Sequence, residues 1–214
     1  MVRFFFSIIL LLGIINLSSC KKEALIYEVE GTVVDVLSGD PIANAEINLY
    51  LKKYNQNVLN DNFIFERTIT SDENGSYSFS LDRERIYNVK FEVSHPKFYE
   101  KDYIYSQDSL RTNTINRFDF SLEALGWLKL VITNPIVTPE EQLNIHKSNF
   151  KEDCTDCCSN GGVALFEIGD TNIVCAVTGG STVKIDYGEA TISSTFTKEI
   201  TCNRFDTTYF TISY

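Results

Sequence analysis

Basic residues and histidines are scarce in this sequence. Its 214 residues hold 19 Lys and Arg against 29 Asp and Glu, a formal net charge of −10. Nucleic-acid binding needs a positively charged footprint for the phosphates, so this balance disfavours that class of protein. The two histidines are His95 and His146, and neither belongs to a recognisable hydrolase, metalloprotease or phosphate-loop motif. We therefore predict no catalytic residues and a non-enzymatic protein.

Long apolar runs are also rare, and the one that stands out lies at the start. Arg3 precedes about a dozen mostly aliphatic and aromatic residues, from Phe4 to Ile15. A helix of that length, at ~1.5 Å per residue, is shorter than the ~30 Å hydrocarbon core of a bilayer. The run therefore predicts a secretory signal peptide over residues 1–19 rather than a membrane span.

The signal peptide ends on a more specific pattern, Leu17-Ser18-Ser19-Cys20. It resembles the lipobox of bacterial lipoproteins, and the alternative is a plain signal peptide with a chance cysteine. The resemblance implies cleavage before Cys20, diacylglycerol on its thiol and an acyl chain such as palmitate on its new amino group. We expect this covalent lipid to be the only cofactor, because two or more chains anchor a protein stably.

Residues 20–24 then form a lipidated tether. Lys21, Lys22 and Glu23 resemble, in a short form, the surface-export signals of Bacteroidota lipoproteins. We expect the protein at the bacterial outer membrane, on its periplasmic face or at the cell surface. The membrane is its first expected partner, through the lipid, and an envelope protein or a glycan is the second.

Period-two alternation dominates residues 25–124, so this part is predicted to be a β-sandwich. Turn signals occur at Ser38–Pro41 and Ser71–Gly75. Four blocks carry a family resemblance, in chain order Gly31-x-Val33-x-Asp35, Gly39-x-Pro41-Ile42-x-x-Ala45, Thr70-x-Asp72-x-x-Gly75-x-Tyr77-x-Phe79 and Tyr87-x-Val89-x-Phe91. They resemble the carboxypeptidase regulatory-like domain, a transthyretin-like (prealbumin-like) seven-strand sandwich. The resemblance implies a rigid, non-catalytic module of a kind often attached to secreted enzymes or outer-membrane nutrient transporters.

Three acidic residues of this part, Asp35, Asp40 and Asp72, raise the question of a metal site. A calcium ion takes six to eight oxygen ligands at close spacing, which three scattered carboxylates do not supply. Their places beside Gly and Pro are typical of residues that cap turns, so we predict turn capping and no metal.

Residues 125–214 are predicted to form a second β domain with a cysteine-containing loop. Short strands are expected at 126–134, 163–168, 172–177, 182–187, 190–196 and 209–214, because these stretches are rich in β-branched and aromatic residues. The polar stretch from 140 to 162 is expected to be a loop, with room for one helical turn after Pro139. The fold class is thus all-β, with two β-sandwich domains in series, the first transthyretin-like.

Five cysteines lie in this second part: Cys154, Cys157, Cys158, Cys175 and Cys202. Disulfides are the favoured interpretation, because the compartment outside the cytoplasmic membrane is oxidising. Two bridges from the loop to the strands are expected, with one odd thiol left in the adjacent pair, and the pairing itself stays open. Free thiols, a zinc site and a thiol-based redox motif are the alternatives.

Three functions follow as hypotheses. The leading one is a lipid-anchored cell-envelope protein that serves as a structural, adhesive or binding module. The second is an accessory lipoprotein of an outer-membrane nutrient (glycan) uptake system. The third is a thiol-based redox or metal-binding protein that uses the cysteine cluster.

Overall fold

A computed structural model describes residues 25–55, 58–152, 154–190 and 195–214. The predicted signal peptide, Cys20 and the tether lie outside the described residues. The described chain is built from β-strands, with one 3-10 turn at Gln107–Ser109. The strands of the first half are β1 (Ile26–Asp35), β2 (Glu46–Asn55), β3 (Val58–Leu59), β4 (Ile64–Thr70), β5 (Ser76–Asp82), β6 (Ile86–His95), β7 (Phe98–Ser106), β8 (Ile115–Arg117) and β9 (Phe120–Leu122).

These strands form a sandwich of two sheets. In one sheet, β1 pairs antiparallel with β5 and parallel with β8 and β9; in the other, the strand order is β4-β2-β6-β7, with the short β3 also on β2. Side chains alternate between buried and less buried along β1 and β6, as expected for strands with one face on a core. Phe91 is fully buried at the centre, in contact with the rings of Phe79, Tyr105, Phe118 and Phe120.

The second half forms another sandwich with its own core. Its strands are β10 (Leu125–Thr133), β11 (Gln142–Ser148), β12 (Gly161–Phe166), β13 (Thr171–Thr178), β14 (Thr182–Glu189), β15 (Phe196–Thr201) and β16 (Thr207–Ser213). One sheet has the order β13-β10-β16 and the other β12-β11-β14-β15. The core between them is apolar and includes two cysteines, with the fully buried side chains of Leu128, Leu130, Ile132, Leu143 and Ile185 at its centre.

The predicted fold class, all-β with two β-sandwiches in series and a transthyretin-like first one, agrees with this architecture. Several local expectations were wrong. β7 and β11 are strands that the sequence patterns did not indicate. Pro139 is followed by a turn instead of a helical turn, with Glu140 at φ 69°. The strand expected at 190–196 falls mostly on residues outside those described and stays a prediction there, while β15 begins at Phe196.

The two sandwiches are arranged end to end along the chain. β1 starts at Ile26, next to the first described residue, and ends at Asp35, beside the second sandwich. Ten residues of strand span about 30 Å at ~3.3 Å per residue. β10 then leaves the first sandwich at Leu125 and runs away from it to Thr133. Within the described residues, no helix is both long enough and apolar enough to span a membrane.

Candidate functional sites

The junction between the sandwiches is a set of hydrogen-bonded backbones around Ala124 and Leu125. Leu125 donates its N–H to the Lys97 carbonyl at 2.9 Å, and its own carbonyl accepts from the N–H of Phe205 at 2.7 Å. The Ala124 carbonyl accepts from the N–H of Gly179 at 2.8 Å. The connecting peptide is therefore bonded to both sandwiches, and we call this region the joint. A connection held on both sides in this way favours one fixed orientation over a flexible linker.

Side chains reinforce the joint. The Asp35 carboxylate, which is 2% exposed, pairs with the Arg204 guanidinium of the second sandwich. The rings of Phe98 and Phe205 meet edge to face, with centroids 5.3 Å apart. Lys97 lies over the same Phe205 ring, 5.7 Å from its centroid. These contacts combine a partly buried ion pair with aromatic packing, so the two sandwiches share an ordered interface.

A second polar group at the joint centres on Glu123. Its Oε2 accepts from Lys151 Nζ at 2.8 Å and from the Thr178 hydroxyl at 3.1 Å, both in the second sandwich. Burial alone would raise the pKa of Glu123, but the hydrogen bond and charge of Lys151 outweigh it, so the pKa is lowered. Lys151 also lies 4.9 Å from the centroid of the Tyr99 ring. Burial, helped by the Glu123 charge, raises the pKa of Tyr99 to about 12.

The cysteine loop lies against this joint. Cys154 is bonded to Cys157 within the loop, and Cys158 is bonded to Cys175 on β13. The Tyr99 hydroxyl is 3.3 Å from Cys157 Sγ, so the loop contacts the first sandwich. Only one bridge runs from loop to strand, where two were expected.

Cys202 is a free buried thiol, which corrects its place among the disulfide candidates. The odd thiol was expected within the adjacent pair, and both members of that pair are bonded. Burial raises the pKa of Cys202 to about 11. Four of the five thiols are therefore in disulfides, so the thiolates that a zinc site would need are occupied. The Cys154–Cys157 bridge has the Cys-x-x-Cys spacing of an oxidised redox dithiol, so the redox alternative stays a hypothesis.

The other candidate residues are dispersed. His95 lies at the end of β6, where burial and the nearby Lys97 lower its pKa, whereas His146 is on β11 of the other sandwich. Asp72 Oδ1 accepts from the N–H groups of Asn74 and Ser76 at 2.8 Å, which is turn capping. Among the described residues, no three His, Cys, Asp or Glu side chains form a group that could hold a metal ion.

Glu141 lies in the polar stretch from 140 to 162 that was predicted to be a loop. It is buried, and its Oε2 accepts from Asn134 Nδ2 at 3.1 Å and from the N–H of Thr138 at 3.0 Å. Asn134 also donates to the Ile168 carbonyl at 3.0 Å. The hydrogen bonds from the Thr138 backbone and from Asn134 outweigh desolvation and lower the pKa of Glu141. The network fixes the loop at the far end of the second sandwich.

The outer face of the β12-β11-β14 sheet carries a shallow cavity of about 550 Å³, which we call the trough. Asn144 pairs with Ala164 on one side and Gly188 on the other, and His146 pairs with Gly162 and Asp186. Small residues therefore flank the exposed polar side chains and leave space above the sheet. Lys184 lies 3.1 Å from Asp186 and extends the polar row. The trough offers hydrogen-bond donors and acceptors, and within it His146 of β11 lies directly opposite Asp186 of β14.

No protein-family model matches the chain, and no curated protein matches it. A Bacillus anthracis TIE protein is 17% identical, with a TM-score of 0.40, over 88% of this chain and 34% of its own. A minor pilin of Streptococcus agalactiae is 10% identical, with a TM-score of 0.36, over 87% and 94%. A DUF3823 family protein of Bacteroides uniformis is 8% identical, with a TM-score of 0.31, over 82% and 98%.

This chain spans about a third of the length of the first of these structures. At TM-scores of 0.40 and below, the likenesses assign neither a family nor a function to it.

The sequence interpretation missed the joint residues. The joint residues Arg204, Phe205 and Tyr99 are distant in sequence from the residues that they contact. Nothing in the sequence around them distinguishes them from ordinary surface or core residues of a β domain. A usable signal was present at Glu123 and Leu125, because the two predicted domains meet there without a Gly-, Pro- or Ser-rich linker. A missing linker favours a fixed joint.

Proposed function

We propose that this chain is a non-enzymatic, lipid-anchored protein of the bacterial cell envelope, whose first sandwich is a rigid spacer and whose second sandwich presents a binding face. One observation carries the proposal: the chain enters the first sandwich at the end opposite the joint. A lipid on Cys20 would then hold one end of the molecule at the membrane. The second sandwich would stand beyond the ~30 Å length of β1.

The trough is the face that we assign to binding. It lies in the sandwich farther from the tether, and its exposed Asn144 and His146 suit a partner that forms hydrogen bonds, such as an envelope protein or a glycan. The fixed joint supports this assignment because a rigid spacer holds the face at a set distance and orientation. A structural or adhesive protein needs that property.

The first test concerns the anchor. Cells that express the full chain are labelled with palmitate, and the wild-type protein is expected to incorporate label and to remain in the membrane fraction. Cys20→Ala is expected to lose both properties, and Cys202→Ala, a matched change at a buried thiol, to retain them. Labelled Cys20→Ala protein would overturn the anchor.

The second test concerns the binding face. A photo-crosslinking residue at Ala164, inside the trough, is compared in intact envelopes with the same residue at Val174. Val174 is 58% exposed and lies in the opposite sheet of the same sandwich. The trough assignment predicts a defined adduct from position 164 alone. Equal adducts from both positions, or none from 164, would contradict it.

A further inference from the structure

The end of the first sandwich from which the tether departs has a composition unlike the rest of the molecule. We call it the tether end and define it by residues 25–26, 52–55, 58–64, 82–87 and 106–115. The β1 start, the β2 end and the β6 start meet here, because Ile26 pairs with Asp82 and Lys53 pairs with Ile86. Lys21 and Lys22 precede it directly in the sequence.

Charge is distributed unevenly between this end and the remainder. Together with Lys21, Lys22 and Glu23, the tether end holds seven Lys and Arg and five Asp and Glu, while the rest of residues 20–214 holds 11 and 24. The mature chain is thus weakly positive at one end and strongly negative elsewhere. Close to an anionic surface, this asymmetry favours contact through the tether end and opposes contact through any other face.

Exposed apolar and aromatic side chains gather at the same end. Val58 is 71% exposed, and Tyr54 and Tyr87 form an exposed edge-to-face pair with ring centroids 6.0 Å apart. Leu25 and Ile115 are exposed beside them. Tyrosine next to aliphatic residues and cations is the composition of surfaces that lie at the headgroup level of a bilayer.

A cavity of about 750 Å³ opens among these residues. It is lined by Arg83, Arg85 and the tyrosines Tyr27 and Tyr54, with Gln107 from the 3-10 turn. Glu84, the acidic residue that lines the cavity, forms an ion pair with Lys53, with 2.8 Å between Oε2 and Nζ. The Arg83 guanidinium beside tyrosine and glutamine donors suits a phosphate group.

The length of the tether completes the argument. Five residue steps separate Cys20 from Leu25, and a fully extended chain covers at most about 18 Å over that distance. A lipid on Cys20 therefore keeps the tether end within about 18 Å of the headgroups. The effective concentration of headgroups at the tether end is then in the millimolar range. Contacts too weak to bind a free protein become occupied under those conditions.

We propose that the tether end is a membrane-docking surface, in which Arg83 and the exposed Tyr54 and Val58 contact the phospholipid headgroups and hold the two sandwiches upright on the bilayer. The inference rests on the lipid anchor of the proposed function. It adds that the anchor does not swivel freely, because the protein body itself contacts the bilayer.

The test uses the chain from Cys20 onward, coupled through the Cys20 thiol to a maleimide phospholipid in vesicles of phosphatidylethanolamine and phosphatidylglycerol. Coupling by chemistry separates docking from the question of whether a cell lipidates the protein. The buried Cys202 is not expected to compete. The sole tryptophan, Trp127, lies at the start of β10 and serves as an energy-transfer donor to dansyl headgroups.

An upright molecule keeps Trp127 about one strand length from the headgroups, so transfer is low. Val58→Asp and Arg83→Glu are expected to raise transfer at least twofold, because the freed body tilts toward the surface. Val174→Asp and Arg117→Glu are the matched controls on other faces and are expected to leave it unchanged. Molar salt should raise transfer in the wild type as the headgroup contacts are screened.

Equal transfer in the wild type and all four variants would overturn the proposal. Transfer that depends on protein density on the vesicle would also overturn it, in favour of contact between copies of the chain. A further control adds inorganic phosphate at constant ionic strength. If phosphate then abolished the difference in energy transfer between the wild type and the Val58→Asp and Arg83→Glu variants, the cavity would be assigned to free phosphate. That result would also contradict docking. Failure of palmitate labelling in cells, with these results intact, would remove the proposed anchor and leave the docking surface standing.

Discussion

Asp35 and Arg204, 169 residues apart in sequence, form an ion pair across the joint between the sandwiches. The second carboxylate oxygen of Asp35 accepts from the N–H groups of Leu37 and Ser38, at 2.8 and 3.2 Å. One buried carboxylate thus caps a turn of the first sandwich and also fixes a loop of the second. The turn-capping role was predictable from the sequence, whereas its coupling to the other domain was not.

Replacement of Asp35 by Ala is expected to destabilise the joint. Arg204 would keep a charge that is 29% exposed, with its Nε already lacking a hydrogen-bond partner. Breaking a fully buried ion pair costs 3–5 kcal/mol, and partial exposure of Arg204 reduces this to about 1–3 kcal/mol. Urea unfolding measures the loss.

Asp61→Ala provides the control for that experiment. Asp61 is 87% exposed and lies 3.1 Å from Lys52 in an ordinary surface pair. Its replacement by Ala should lower the free energy of unfolding by no more than about 0.5 kcal/mol. If the two variants lost equal stability, the pairing across the joint would contribute nothing beyond a surface contact.

Gly179 gives a second test of the joint, through packing. A Cβ at this position would lie 2.8 Å from Arg204 Cα and 2.8 Å from the Leu125 carbonyl oxygen, both backbone atoms. Gly179→Ala should therefore separate the backbones that the joint holds together, at a cost of about 1–3 kcal/mol. Small-angle scattering should show a wider spread of inter-sandwich distances.

The matched change is Gly162→Ala, because its added Cβ would meet no atom closer than 3.8 Å. This variant should match the wild type in stability and in scattering. An altered scattering curve for Gly162→Ala, or an unaltered one for Gly179→Ala, would refute close backbone packing as the cause of rigidity.

The sequence predicted the first sandwich well because its strands alternate clearly. In β1 and β5, apolar side chains recur at every second residue, and turn residues mark both ends. β7 was missed because it is the edge strand of its sheet, with Glu100, Lys101 and Asp102 at its centre. An edge strand with one solvent-exposed face carries charged side chains, and such a run of charges is typical of a loop when only the hydrophobic periodicity is considered.

β11 was missed for a related reason. Only Leu143 and Ile145 alternate within its seven residues, and the outward positions hold Asn144 and His146. Those outward residues define the trough, so the features that concealed the strand are also the features that make its face a binding candidate. The disulfide pairing could not be predicted, because it depends on which loop residues β13 brings close.

The pH dependence of stability should contain a contribution from Glu123. Its pKa is lower in the folded state than in the unfolded chain, so its stabilisation is present above the unfolded pKa of ~4.3 and is lost as the pH falls through the folded value. Glu123→Gln should be less stable than the wild type at pH 7, and the difference should shrink below pH 4.

Denaturant titrations at pH 7 and pH 3.5 measure the difference in the free energy of unfolding between the wild type and Glu123→Gln at each pH. Glu100→Gln is the control, because Glu100 is an exposed residue of β7 and should leave the profile unchanged. A Glu123→Gln profile parallel to the wild type over the whole range would show that Lys151 does not stabilise the ionised form of Glu123.

The two disulfides should differ in what they contribute to stability. Cys158–Cys175 joins residues 17 apart and ties the loop to β13, while Cys154–Cys157 joins residues 3 apart. Chain-entropy estimates give about 3 kcal/mol for the longer loop and about 2 kcal/mol for the shorter one. Because Cys158 is also buried in the core, the Cys158→Ser/Cys175→Ser variant should lose more than that difference relative to Cys154→Ser/Cys157→Ser. Urea unfolding of both double variants without reductant compares them, and equal losses would mean that the loop is held chiefly by its contact with Tyr99 and the joint.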